Sequence, residues 1–191
     1  MQLTKGDEMK TVLRLLCAAI SMAAMLTSFG AAGAKPPAGL DKEAMAALQS
    51  LYAKTPAARA LGDKAKGILV FPKITKAGLV IGGQGGDGAL IQKGKVVGYY
   101  NTGAVSVGFQ AGVQQYGYAL FLMSDSALQY LKNSNGWELG VGPSIVIVDA
   151  GTAKNLSTTT AHDDIYAFIF DQKGLMAGAG LQGSKITPLD R

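Results

Sequence analysis

The sequence predicts an α+β domain in which N-terminal helices precede a curved, mainly antiparallel, glycine-rich sheet or partial β-barrel. Three observations predict it. Helix-period apolar stripes dominate residues 41–61. From Gly67 the period changes to short apolar or alternating runs broken by glycine and proline. No long helical pattern then separates one run from the next, which favours antiparallel neighbours over parallel crossovers.

Taken in order, Asp41 is a good N-cap for a helix to about residue 53, with Met45, Leu48, Leu51 and Tyr52 forming one stripe. Thr55-Pro56 reads as an N-cap followed by proline at the first helical position, opening a second helix that Gly62 ends. Strands are predicted over 68–71, 77–81, 89–91 and 96–100. Pro72, Gly82-Gly83, Gly85-Gly86 and Lys93-Gly94-Lys95 lie between them as turns or bulges. Over 105–123, Tyr116, Tyr118, Leu120 and Leu122 fall on one face at period two, and Gly108, Gly112 and Gly117 permit sharp coiling. Ser124 or Asp125 caps a short helix through Leu131. Runs at 137–139, 145–148, 165–170 and 175–181 complete the set.

Residues 1–34 are expected to be a signal peptide and 35–191 a single domain. Met9, the expected start, opens a basic region with Lys10 and Arg14, and 15–29 is an uncharged, mostly apolar run. That run is short for a bilayer span. Ala32-Gly33-Ala34 supplies the small-x-small pattern of a cleavage site, placing the cut before Lys35. A lipid anchor at Cys17 would need a small residue just before the cysteine, where Leu15-Leu16 stand, and Cys17 lies inside the apolar run. Cys17 is the chain's one cysteine, so residues 35–191 can form neither a disulfide nor a catalytic thiolate. Those 157 residues carry 15 Lys and Arg against 11 Asp and Glu, a net charge of +4. The charge is too dilute, and too free of like-charge blocks, to point to nucleic acid.

Few motifs point to an enzyme. Gly83-Gln84-Gly85-Gly86-Asp87-Gly88 fits GxGxxG, but the residues after it read as a strand and a turn, not as the helix a dinucleotide needs. His162, the only histidine, is flanked by Asp163 and Asp164. Its one nucleophile candidate, Ser106, lacks the strand-turn-helix setting of a nucleophile elbow. A serine hydrolase is therefore a secondary reading. No metal or other cofactor is expected, because His162, Asp163 and Asp164 have no second ligand cluster. The basic residues are more suggestive. Lys64, Lys66, Lys73 and Lys76 bracket Phe71-Pro72, while Lys93 and Lys95 flank a hairpin tip. Lysines beside an anionic membrane contribute about 1 kcal/mol each, so this set can hold a domain on a lipid surface.

The order of several blocks resembles the SYLF domain family. They are Gly67-Ile68-Leu69-Val70-Phe71-Pro72, Ala77-Gly78-Leu79-Val80-Ile81-Gly82-Gly83, Gly88-Ala89-Leu90 and Ser106-Val107-Gly108-Phe109-Gln110-Ala111-Gly112. Gly140-Val141-Gly142-Pro143, Asp164-Ile165-Tyr166-Ala167-Phe168 and Lys173-Gly174-Leu175-Met176-Ala177-Gly178 follow, so the resemblance spans about residues 40–187. It implies a non-enzymatic lipid-binding module for phosphoinositides or other anionic phospholipids, using a basic amphipathic N-terminal segment that corresponds here to 41–66. Some eukaryotic members also associate with actin, a partner an exported protein does not ordinarily meet. The expected partner is an anionic phospholipid membrane in the periplasm or cell envelope. A protein-interaction or structural envelope component is the alternative. The leader reading is tested by intact-mass spectrometry of protein extracted from the envelope. The expected mass is that of a chain beginning at Lys35 without an acyl group.

Overall fold

A strand covered on one face buries every second residue; one covered on both buries every residue. The strand β1 (Gly67–Gly78) begins with five buried residues in succession and then alternates, so its first half is covered on both faces and its second half is not. That division runs through the structure. The computed structural model describes residues 35–78, 81–107, 112–148, 156, 162–174 and 183–190. The leader and the run at 175–181 lie outside them.

The helix α1 (Leu40–Lys54) starts one residue before the expected cap, behind Gly39 at φ 88°. Asp41 and Glu43 occupy its first turn and Lys54 its last, each on the favourable side of the helix dipole. Its buried stripe is Leu40, Ala44, Leu48 and Leu51, with Met45 and Tyr52 packed at its border. Thr55 then turns the chain in extended conformation into α2 (Pro56–Gly62), with proline in the first turn as predicted and Ala58 and Leu61 buried. Strands β2 (Ile81–Gln92), β3 (Lys95–Val107) and β4 (Gly112–Leu122) follow, then helix α3 (Asp125–Asn133). Two short strands, β5 (Trp137–Glu138) and β6 (Ile145–Val148), lead to β7 (Ile165–Gly174) and β8 (Lys185–Pro188).

The strands form one sheet in the order β5-β8-β3-β2-β1-β4-β7-β6, antiparallel throughout except for β6 beside β7. It curls into a half-barrel with helices on both faces, so the predicted α+β class holds. Against α1 and α2 lie Ile68, Val70, Ala89, Ile91, Ala119, Phe121 and Phe168. Against α3 lie Leu69, Phe71, Leu90, Leu120 and Leu122, with Tyr118 and Trp137 in the same cluster. Adjacent residues of β1 and β4 thus feed two separate cores, which is why Gly67–Phe71 and Tyr118–Leu122 read as unbroken apolar runs in the sequence.

Three single-residue bulges accompany the curl. In β1, Val70 and Thr75 face Ala89 and Gly85 of β2, while Phe71 and Ile74 face Tyr118 and Tyr116 of β4. On both sides β1 carries one residue too many, at Pro72-Lys73. The second bulge lies in β3 between Val96 and Gly98, and the third in β7 between Phe170 and Lys173, where Asp171 takes φ 50°. Each adds local twist and bends its strand.

The glycines of β2 differ from their predicted role. Residues 82–88 make no turn, because they are paired through their length with β3, and at all but the bulge with β1. The reason is close approach. A Cβ on Gly88 would stand 2.6 Å from Phe71 Cδ1 and 2.7 Å from the Val70 carbonyl oxygen, and one on Gly86 would meet the Lys73 carbonyl of the bulge. Gly83 is different, since its nearest neighbour would be Ala104 O at 3.8 Å. Gly88→Ala is therefore expected to destabilise the domain by about 1–3 kcal/mol. Gly83→Ala should be neutral or stabilising by up to about 1 kcal/mol. Urea denaturation of the two variants reads the difference directly.

Candidate functional site

The one catalytic pair the sequence offers is separated by the fold. Ser106 pairs with Gly82, near the end of the sheet where β1 reaches Gly78. His162 precedes Ile165, which pairs with Leu122 beside Gly67, at the other end. About ten strand residues intervene, on the order of 30 Å, so the two backbone positions are too far apart to act as a catalytic pair. The neighbouring acids serve the structure. Ser124 Oγ accepts from the Ala127 amide at 3.1 Å, capping α3 as predicted, and donates to Asp164 Oδ1 at 2.7 Å. Ser144 Oγ accepts from the Asp164 amide at 3.0 Å, so Asp164 ties the start of α3 to the strands β6 and β7. Asp163 Oδ2 accepts from the Tyr166 hydroxyl at 3.3 Å. Among the described residues no three His, Cys, Asp or Glu side chains gather as metal ligands.

The six lysines singled out for lipid contact are not brought together by the fold. Lys64 and Lys66 lie between α2 and β1, and Lys93 and Lys95 on the β2–β3 hairpin. The Gln92 side chain joins these two places, donating to the Lys66 carbonyl at 3.0 Å and accepting from Lys132 Nζ at 2.9 Å. All five ammonium-bearing residues here are exposed, and Lys66 pairs with Asp125 at 3.2 Å. Lys73 and Lys76 belong elsewhere. Lys73 is the exposed residue of the β1 bulge, and Lys76 is half-buried between Gln84 and Gln114 towards the Gly78 end.

Sequence reasoning missed two further lysines at that end, Lys173 and Lys185, both exposed. Lys173 pairs with Gln115 and Lys185 with Gly103. They are 12 residues apart in sequence yet on opposite sides of the four central strands, and no local pattern signals this. Only the strand order does.

Between the ends, the face that carries Phe71 and Leu90 becomes polar. Tyr116 donates to Gln84 Oε1 at 3.0 Å, and Gln84 Nε2 donates to Ser184 Oγ at 2.9 Å. Burial pushes the Tyr116 hydroxyl up to about 12, and raises Tyr118 further still. Both stay neutral at ordinary pH and act here as packed rings with polar tips. A cleft of about 300 Å³ lies between β5 and β6, lined by Leu139, Gly140, Gly142, Pro143, Ser144 and Ile145 among others. It has no ionisable side chain to do chemistry.

Residues 103–191, from the middle of β3 onwards, match the protein family described as Las17-binding protein actin regulator (Ysc84). The match is consistent with the SYLF resemblance over that stretch, somewhat under half of the chain. No curated protein matches it. The matched stretch supplies β4, α3 and β5–β8, while the glycine-rich β2 and the β1 bulge precede it. No helix among the described residues is long and apolar enough to cross a membrane. The lysines of the hairpin end stand outside both cores. Lys64→Glu, Lys93→Glu and Lys95→Glu should each shift the unfolding free energy by less than about 0.5 kcal/mol, and Lys66→Glu by less than about 1 kcal/mol. Ser124→Ala should cost about 1 kcal/mol by removing the α3 cap. Chemical denaturation checks the contrast.

Proposed function

We propose that this SYLF-family chain is an exported, non-enzymatic phospholipid-binding protein that acts on anionic lipid in the periplasm or cell envelope. The observation that carries the reading is the grouping of exposed lysines at the ends of a SYLF-domain sheet, most of them outside any ion pair among the described residues. Ammonium groups held on rigid strands and hairpins meet a plane of phosphates with little further loss of freedom. The leader-like residues 9–34 support the compartment.

A second reading comes from the family's description, which names Las17 binding and actin regulation. Applied to this chain it becomes a protein-interaction or structural component of the envelope, since export removes actin from reach. That reading predicts stable co-purification with a protein, insensitive to lipid.

Co-sedimentation with vesicles separates the two. Binding to vesicles containing phosphatidylglycerol is expected at low salt, and none to pure phosphatidylcholine. Reversing the exposed lysines to Glu at the end of the sheet that meets the lipid should weaken it. Raising the ionic strength from 0.01 M to 0.1 M, which shortens the screening length from about 30 Å to about 10 Å, should do the same. No binding to anionic vesicles at low salt would sink the lipid reading.

A further inference from the structure

Three large apolar side chains stand in water at the end of the sheet that the helices leave bare: Ile81 is 59% exposed, Val105 66% and Val113 57%. Their register puts them together. Cross-strand partners share a face, and Val105, Gly83, Ala77 and Val113 make one row across β3, β2, β1 and β4. Ile81 lies two residues beyond Gly83 on that face. It is the same face that α1 and α2 cover further back, at Ile68, Val70, Ala89 and Ile91. Towards the Gly78 end this face has no covering cluster among the described residues.

The row immediately behind is polar and ends in charge. It reads Lys185, Gly103, Gly85, Thr75, Gln115 and Lys173 from β8 to β7. Strand spacing sets the lysines about 24 Å apart along the sheet, flanking an apolar strip about 14 Å wide. Neither lysine is in an ion pair among the described residues. The acidic groups near them are Glu138, opposite Lys185 in register, Asp171, two residues before Lys173 and paired with Lys54 at 2.6 Å, and Asp87, one row further back, which accepts from Asn101 at 2.8 Å.

The spacing along the strands decides what fits. Two residues of strand rise about 7 Å, so the valines lie about 7 Å beyond the lysine row and Ile81 about 14 Å beyond it. A leaflet's headgroup layer is about 5–8 Å thick. With the valines at the acyl boundary and Ile81 below it, the two lysines stand level with the phosphates. A protein partner would not require this depth relation between apolar tip and basic row, whereas an anionic bilayer does.

Resting on the lipid-binding reading above, we propose that the chain docks on an anionic bilayer end-on, with the Gly78 end of its sheet. Ile81, Val105 and Val113 enter the acyl boundary, and Lys173 and Lys185 meet lipid phosphates. The hairpin end, with Lys64, Lys66, Lys93 and Lys95, faces away from the membrane.

The test uses the 35–191 domain, which contains both helix-covered cores, and vesicles of equal phosphatidylglycerol and phosphatidylcholine. The triple variant Ile81→Thr/Val105→Thr/Val113→Thr keeps β-branched shape at exposed positions and should bind about tenfold more weakly or worse. Lys173→Gln/Lys185→Gln should lose about fivefold per lysine. Lys64→Gln/Lys66→Gln/Lys93→Gln/Lys95→Gln should bind within about twofold of the parent. Thermal unfolding confirms that each variant folds. As a second readout, indole fluorescence of Val105→Trp should be quenched by bromine-labelled acyl chains, and that of Lys95→Trp should not. Trp137, 1% exposed, gives both a fixed background. If the parent binds but the hairpin-end variant alone loses affinity, or only the Lys95→Trp indole is quenched, the docking geometry is overturned while the lipid reading stands. If the parent ignores anionic vesicles, the lipid reading fails and the proposal with it.

Discussion

The structure depends on one extra residue in β1. Pro72-Lys73 is a bulge counted on both sides, against β2 and against β4, so the two neighbouring strands must bend at the same level. The bulge pushes the Lys73 carbonyl and the Phe71 ring towards β2, where only hydrogen atoms at Gly86 and Gly88 leave room. Phe71 is then free to stack on Tyr118 at 4.6 Å between centroids, at the centre of the α3-side core. Bulge, glycines and packed rings form one arrangement.

The same arrangement divides every central strand in two. On the α-helical side of the bulge, β1 and β4 are covered on both faces and their residues are almost all apolar. Beyond it the faces carry glycine, short polar side chains and a few uncovered apolar ones. The first half supplies the stability of the domain. The second half, freed from that demand, is where lysines and exposed valines can be tolerated, and the proposed membrane contact is placed there.

What could be read from the sequence was what a short window decides. Ser124 before Ala127, Pro56 after Thr55 and the stripe through Leu48 and Leu51 are local signals, and all three act as expected. The run at 82–88 was not legible in the same way. Glycine in a window signals a turn, yet these glycines are strand residues whose purpose lies in a different strand, at Phe71 and Ile74. The candidate lysines show the same limit. Lys64 and Lys66 were grouped with Lys73 and Lys76 because they are close in sequence, but a strand carries neighbours in sequence to opposite ends of a sheet. Lys173 and Lys185 meet one face only because β7 and β8 are inserted on either side of β1–β4.

That insertion also governs when the sheet can exist. The strand β8 pairs with β3 across a separation of 88 residues, Tyr100 to Pro188, and among the described residues supplies the only pairing partner of Trp137-Glu138. Contacts of such sequence separation form late and slowly. A chain delivered N-terminus first has β1–β4 in hand long before β7 and β8, with both flanks of the half-barrel still open. The outer strands of the sheet can therefore close only after β8 is present. For the exported chain proposed above, that order of strands suits passage through a membrane ahead of folding.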